Sequence, residues 1–163
     1  MSIKSLKRNK GYGMIEMLFY VSLFAILSIA VINSMITMTK SFKETTIQAE
    51  FLNGGNVLER LSREIRGAQS ITSITNSNDL KIKSFDGTDL EFVLSGQNIQ
   101  FLKNGNLVGN LNSSGVSVLG LSFTKISTVK SEAVKIVLTV KSVHDTGNRT
   151  EDFYNTVVLR GEY

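Results

Sequence analysis

No cysteine, no proline and no tryptophan occur among the 163 residues, and histidine occurs once, as His144. Without Cys there is no disulfide framework, no thiol nucleophile and no thiolate metal site. A single His removes the multi-histidine zinc centres as well. Acids are missing from residues 1–11, which carry Lys4, Lys7, Arg8 and Lys10. These four cations account for the whole formal charge of +4, so the rest of the chain is balanced. Charge therefore gives the body of the protein no footprint for nucleic acid, and none is expected as a partner. What the chain does have is 42% hydrophobic against 20% charged residues. That is foldable, with length for one ordinary domain plus an appendage.

The appendage is apolar. From Met17 to Thr39 no charged residue interrupts a run of 23. As a helix it is about 35 Å long, enough for a bilayer core of roughly 30 Å. Leu18, Phe19, Val21, Leu23, Phe24, Ile26, Leu27, Ile29, Val31 and Ile32 make it apolar all round, as lipid or complete burial requires. Four cations precede it, and Lys40 and Lys43 follow with Glu44 close by. The positive-inside bias then keeps the N-terminus cytoplasmic and places the chain after residue 40 outside. A buried core helix rarely reaches this length. A cleaved secretory signal would need a shorter apolar region followed by small residues, and the nearest such triplet, Ser28-Ile29-Ala30, sits inside the run. One residue does not suit a plain anchor: Glu16 stands at the head of the apolar segment, where a carboxylate is expensive and wants a partner. Lys10 and the lipid headgroups are two candidates.

The residues before it read Lys10-Gly11-Tyr12-Gly13-Met14-Ile15-Glu16. With the basic leader and the apolar run they resemble the type IV pilin and type II secretion pseudopilin superfamily. Its precursors have a basic leader ending in Gly, then an aromatic residue, a Glu at the fifth mature position and a long apolar helix. The resemblance implies that residues 1–11 are a leader cut after Gly11 by a prepilin peptidase. Tyr12 would be the first mature residue and N-methylated, and Glu16 would meet the new amine of a neighbouring subunit during assembly. Tyr12 replaces the more usual Phe, and Ala25 and Asn33 stand where many members carry helix-breaking Gly and Pro. The resemblance further implies membrane lipid, other pilin or pseudopilin subunits and an inner-membrane assembly platform as partners.

Beyond the membrane segment, Phe51, Leu58, Leu61, Ile65 and Ala68 recur at three-to-four spacing, which predicts an amphipathic continuation over 40–68. Glu59 with Arg63, and Arg60 with Glu64, are opposite charges four apart on its wet face. Gly54-Gly55 interrupts it and predicts a kink or a close packing contact, while Gly67 suggests the helix end. After Gly67 short alternating runs take over, separated by Gly, Asn, Asp and Ser. Strands are predicted at 80–85, 90–94, 99–102, 107–111, 116–123, 133–143 and 153–160, with Asp86-Gly87 and Asn104-Gly105 as hairpin turns. The Asn/Ser-rich stretches 75–79 and 110–115 read as turns or loops. The expectation is an α+β fold of the pilin type: leader 1–11, transmembrane and assembly helix 12–39, its amphipathic continuation 40–68, and an antiparallel β domain 69–163. Leu61-Ser62-Arg63-Glu64-Ile65-Arg66-Gly67-Ala68 and the later strand order are similar to J-type minor pseudopilins and W-type minor pilins.

Chemistry-bearing patterns are few. Asp145-Thr146-Gly147 spells the aspartic-protease triplet, but lies singly in a polar connection and reads as a turn. Asp86, Asp89 and Glu91 with Gly87 offer oxygens to a calcium ion, without EF-hand spacing. Asn112-Ser113-Ser114 and Asn148-Arg149-Thr150 fit the glycosylation acceptor pattern. No nucleophile–base pair or phosphate loop is present, so neither an enzyme nor a cofactor is expected. The reading is a minor pilin-like subunit of a type IV pilus, held in the inner membrane before assembly at the cell surface or in the periplasm. The alternatives are a type II secretion minor pseudopilin and an unprocessed single-pass anchor for an outer binding domain.

Overall fold

The computed structural model describes residues 12–127 and 131–160. The leader and Gly11 lie outside them, as does the side chain of Tyr12. A single helix, α1 (Tyr12–Arg66), is followed by eight strands: β1 (Ala68–Thr75), β2 (Asp79–Ser84), β3 (Asp89–Ser95), β4 (Asn98–Lys103), β5 (Asn106–Asn110), β6 (Val116–Ser127), β7 (Glu132–Ser142) and β8 (Thr150–Val158). The architecture is α+β, a long N-terminal helix with antiparallel sheet, as expected. The chain divides between Lys43 and Glu44 into two compact units.

In the second unit the strands form two antiparallel sheets, one in the order β1-β2-β3-β4-β5 and one in the order β6-β7-β8. Every neighbour within a sheet is also a neighbour in sequence, so local turn chemistry sets the register. At Asn104-Gly105 both residues have positive φ (50° and 77°), the twist a two-residue hairpin needs. At Asp86-Gly87 the Gly takes φ 82°, Gly87 N donates to Ser84 O at 3.0 Å, and Ser84 N donates to Thr88 O at 2.9 Å, closing a three-residue turn. Asn76 and Ser77 carry the β1–β2 turn with φ of 51° and 60°.

The helix between Glu44 and Arg66 buries Ile47, Glu50, Gly54, Val57, Leu58, Leu61, Ser62 and Ile65, one face at helical period. Val57, Leu58, Leu61 and Ile65 share one core with Leu80, Ile82 and Phe92 of the first sheet and Phe123, Ile136 and Leu138 of the second. Phe92 stacks on Phe101, ring centroids 5.2 Å apart. Gly54-Gly55 turns out to be a packing contact within an unbroken helix. A Cβ on Gly54 would lie 2.9 Å from Phe153 Cε2 and from Val140 Cγ2, so these side chains sit against bare helix backbone. The sequence reading lacked β1. Two register shifts, between Ala68 and Ser70 and between Ile71 and Ser73, turn its inward period from two to three (Ala68, Ile71, Ile74), so no alternation marks it. The strand predicted at 153–160 begins earlier, at Thr150, and ends at Val158; Leu159 N still donates to Glu132 O at 2.9 Å.

Candidate functional site

The first unit contributes one feature, the helix from Gly13 to Lys43. Every side chain along it is exposed except that of half-buried Ser28. Met14, Phe19 and Phe24 are 80%, 64% and 72% exposed, and the most apolar 18-residue window has a mean hydropathy of 2.4 with none of it buried. The helix is long and apolar enough to cross a membrane. It runs unbroken through Ala25 and Asn33, without the interruption that Gly or Pro would bring. Thr37 and Thr39 return their hydroxyls to the carbonyls of Asn33 and Met35, both at 2.9 Å. Such i−4 bonds let hydroxyl side chains sit in an apolar helix with their donors satisfied.

Glu16 lies on this bare helix, and its described partner is one turn along: Tyr20 Oη donates to Glu16 Oε1 at 3.2 Å. The sequence reading offered Lys10 or lipid headgroups and passed over Tyr20, although i,i+4 spacing could have found it. A phenol is not a cation, so among the described residues the Glu16 carboxyl group has no opposite charge beside it at the head of an apolar segment. Gly11 and Lys10 lie outside the described residues.

The structure does not gather the calcium candidates. Asp86 turns back on its own loop, its Oδ1 accepting from Thr88 N at 2.9 Å, a bond that holds its pKa below the ordinary value. Glu91 pairs with Lys81 at 3.1 Å, and Asp89 is an exposed strand-end residue whose backbone N–H donates to Asn104 Oδ1. Among the described residues no three His, Asp or Glu side chains converge on a cation position. Strand pleat puts Asp89 and Glu91 on one face of β2–β3, but that face also bears Lys81, which takes Glu91, and Asp86 belongs to the loop beyond it.

Asn112 is not an accessible acceptor for a glycan. It is 7% exposed, its Oδ1 accepts from Ile99 N at 2.9 Å, and its Nδ2 donates to Val116 O at 2.7 Å and Asn98 Oδ1 at 3.0 Å. The amide is a bracket for the β5–β6 loop. Asn148, by contrast, is exposed in the β7–β8 connection.

Asp145 heads the turn the sequence suggested, and its buried carboxylate explains why an Asp is there. It accepts from Gly147 N at 3.1 Å and Arg149 N at 2.7 Å, and the Arg149 side chain reaches it at 3.3 Å. These bonds, those from Arg149 foremost, lower its pKa from 3.8 to about 2. Arg149 then forks onto Glu44 at 2.8 and 2.9 Å, lowering the Glu44 pKa and tying the β7–β8 connection to α1. A second tie escaped the sequence reading altogether. Buried Glu50 accepts from Ser142 Oγ and meets His144 Nδ1 at 2.6 Å, and Gly115 leaves room for its carboxylate where a Cβ would collide. The hydroxyl bonds the carboxylate and not the imidazole, so this trio lacks the nucleophile–base link that serine chemistry needs.

Comparison of the chain with protein-family models, with curated proteins and with solved structures gives no match.

Proposed function

We propose that the chain is a minor pilin-like structural subunit, stored in the inner membrane, cleaved after Gly11 by a prepilin peptidase, methylated on Tyr12 and assembled through its helix into a type IV pilus. The observation that carries this reading is the combination at one helix end: Lys10-Gly11-Tyr12 before an apolar helix that is bare over its first half, with the carboxyl side chain of Glu16 one turn in. A bare apolar helix must be covered, first by lipid and then by neighbouring subunits. A plain anchor gains nothing from Glu16. A subunit that docks against the amine of another gains a charge partner in a low-dielectric setting, and with it axial register.

The test has two steps. Mass spectrometry of the protein coexpressed with its peptidase should give a chain starting at Tyr12 and carrying one extra methyl group, and Gly11→Val should block the cut. Glu16→Val should leave cleavage and membrane insertion intact, because it removes a charge from the apolar helix. It should nevertheless lower the ratio of subunit in sheared filaments to subunit in membranes about tenfold, the effect of roughly 1.4 kcal/mol lost from a charge pair. An unprocessed N-terminus with active peptidase, or an unchanged ratio, would leave the single-pass anchor as the better reading.

A further inference from the structure

Within the second unit a cleft of about 380 Å³ opens between the β3–β4 turn, the end of β5, the β5–β6 loop and the residue after β7. Four carboxamides (Gln97, Asn98, Asn110, Asn112) and two hydroxyls (Ser114, Ser117) line it, and Val116 and Val143 complete the wall. Among the described residues no Lys, Arg, Asp or Glu does. The volume is that of a ligand site, within the range of about 300–1,000 Å³, yet such sites are mostly apolar with a few polar groups, and this lining is the inverse.

The frame is held from behind. Asn112 pins the β5–β6 loop to β4 and β6 through the bonds already described, and Ser117 Oγ donates to Gln97 Oε1. Val118 N fixes the Gln97 carbonyl at 3.0 Å. These contacts occupy the side-chain oxygens of Gln97 and Asn98. They leave the amide N–H groups of both, with the side chains of Asn110 and Ser114, without a protein partner among the described residues. Donors and acceptors are thus presented on a rigid base, which lowers the ordering cost of binding.

We propose that this cleft binds a neutral, polyhydroxylated ligand of the chemistry of an unsubstituted oligosaccharide. Hydroxyls that both donate and accept match the amide N–H groups of Gln97 and Asn98, which donate, and the side chains of Asn110 and Ser114, which do both. A charged ligand finds no counter-charge to offset its desolvation, and an apolar one leaves the amides unpaired. A peptide's side chains ask for apolar pockets that two valines do not supply. None of the lining residues is aromatic, so binding is weak and is read at millimolar ligand. The proposal is independent of filament assembly, since the cleft lies wholly in the unit from Glu44 onward.

The full chain in lipid nanodiscs, free of glycoside detergent, is titrated with maltotriose, chitotriose, trigalacturonate and triglycine, with saturation-transfer NMR as readout. At least one neutral trisaccharide should bind, with trigalacturonate and triglycine tenfold or more weaker. The double variant Asn110→Ala, Ser114→Ala should lose at least tenfold, while Asn148→Ala in the β7–β8 connection stays at wild-type affinity. Ser114→Arg, which fills the cleft from an exposed position, is a second variant for the same loss. Absence of neutral-sugar binding at millimolar concentration overturns the proposal. Undiminished binding by a folded variant, or preference for the anionic sugar or the peptide, overturns it equally.

Discussion

Between Gly13 and Lys43, helix α1 exposes its side chains all round save half-buried Ser28; between Ile47 and Ile65 the same helix buries eight residues along one face. Backbone geometry is common to both halves, so the difference lies entirely in the side chains. In the first half Leu, Ile, Phe and Met occupy every direction, and no single partner face covers them. In the second, Glu59, Arg60 and Arg63 hold one side in water while Leu58, Leu61 and Ile65 enter the core. One half is finished by the chain itself. The other leaves its apolar side chains bare, and the proposed function assigns lipid and neighbouring subunits to cover them.

The largest test of this contrast compares two leucines. Leu61 is fully buried, and Leu61→Ala should cost about 2–5 kcal/mol in urea unfolding of the β-containing unit through lost transfer energy and the cavity left behind. Leu23 is 44% exposed on the bare half, and Leu23→Ala should leave the same transition within about 0.5 kcal/mol. Equal losses would mean that the bare half contributes to the folding of the second unit, and the division at Lys43 would fail.

The two halves were also unequally legible. The apolar run Met17–Thr39 and the stripe Leu58, Leu61, Ile65 announce themselves by composition and period, and the Asp86-Gly87 and Asn104-Gly105 turns by the left-handed conformations Gly and Asn accept. The stripe was undercounted: it left out apolar Ile47 and Val57, and also Glu50, Gly54 and Ser62, which occupy buried positions for reasons on other elements: Ser142 and His144, Phe153 and Val140, and Asn155. Strand β1 hid behind its bulges. The Asn112 acceptor pattern misled because three residues of sequence carry no information about a bond to Ile99 N, thirteen residues away. The cleft was invisible for the same reason, being assembled from three separate stretches, 97–98, 110–117 and the single residue Val143.

Next in size is Gly54, where the second half comes closest to its sheet. Gly54→Val places branched carbons into Phe153 and Val140, which already stand where a Cβ would press on them, and should destabilise the unit by about 1–3 kcal/mol. Val140→Ala in the same chain should recover part of that loss by vacating one of the two close contacts, a coupling that a double-mutant cycle on unfolding midpoints measures. Additive losses would show that Gly54 serves helix flexibility and not packing.

A smaller effect belongs to Asp145, because Arg149 and Glu44 around it are about half-exposed and screened. Its folded pKa of about 2 lies below the ordinary 3.8, so the unfolded chain binds the proton more readily. The stabilising contribution is therefore complete above about pH 5 and is lost as pH falls through 3.8 toward 2. Wild type should exceed Asp145→Asn in urea midpoint by a constant margin at neutral pH, and the margin should close on acidification across that window. A margin that widens on acidification would have the wrong sign for a carboxylate held by donors.

The smallest effect separates neighbours. Gly55 adjoins Gly54 but has room for a methyl: an added Cβ would meet Phe153 Cε1 at 3.6 Å, an ordinary contact. Gly55→Ala removes the conformational freedom that Gly brings to the unfolded chain and adds a methyl at van der Waals distance, so the unit should gain up to about 1 kcal/mol. The same replacement at Gly54 sets that gain against a Cβ pressed 2.9 Å from two core side chains, and should come out neutral or negative. Adjacent positions, one substitution and opposite signs make a sharp measurement by paired urea melts. A gain at both would mean the core moves aside readily around the helix, and a loss at both would mean that the pair is retained for bending of α1.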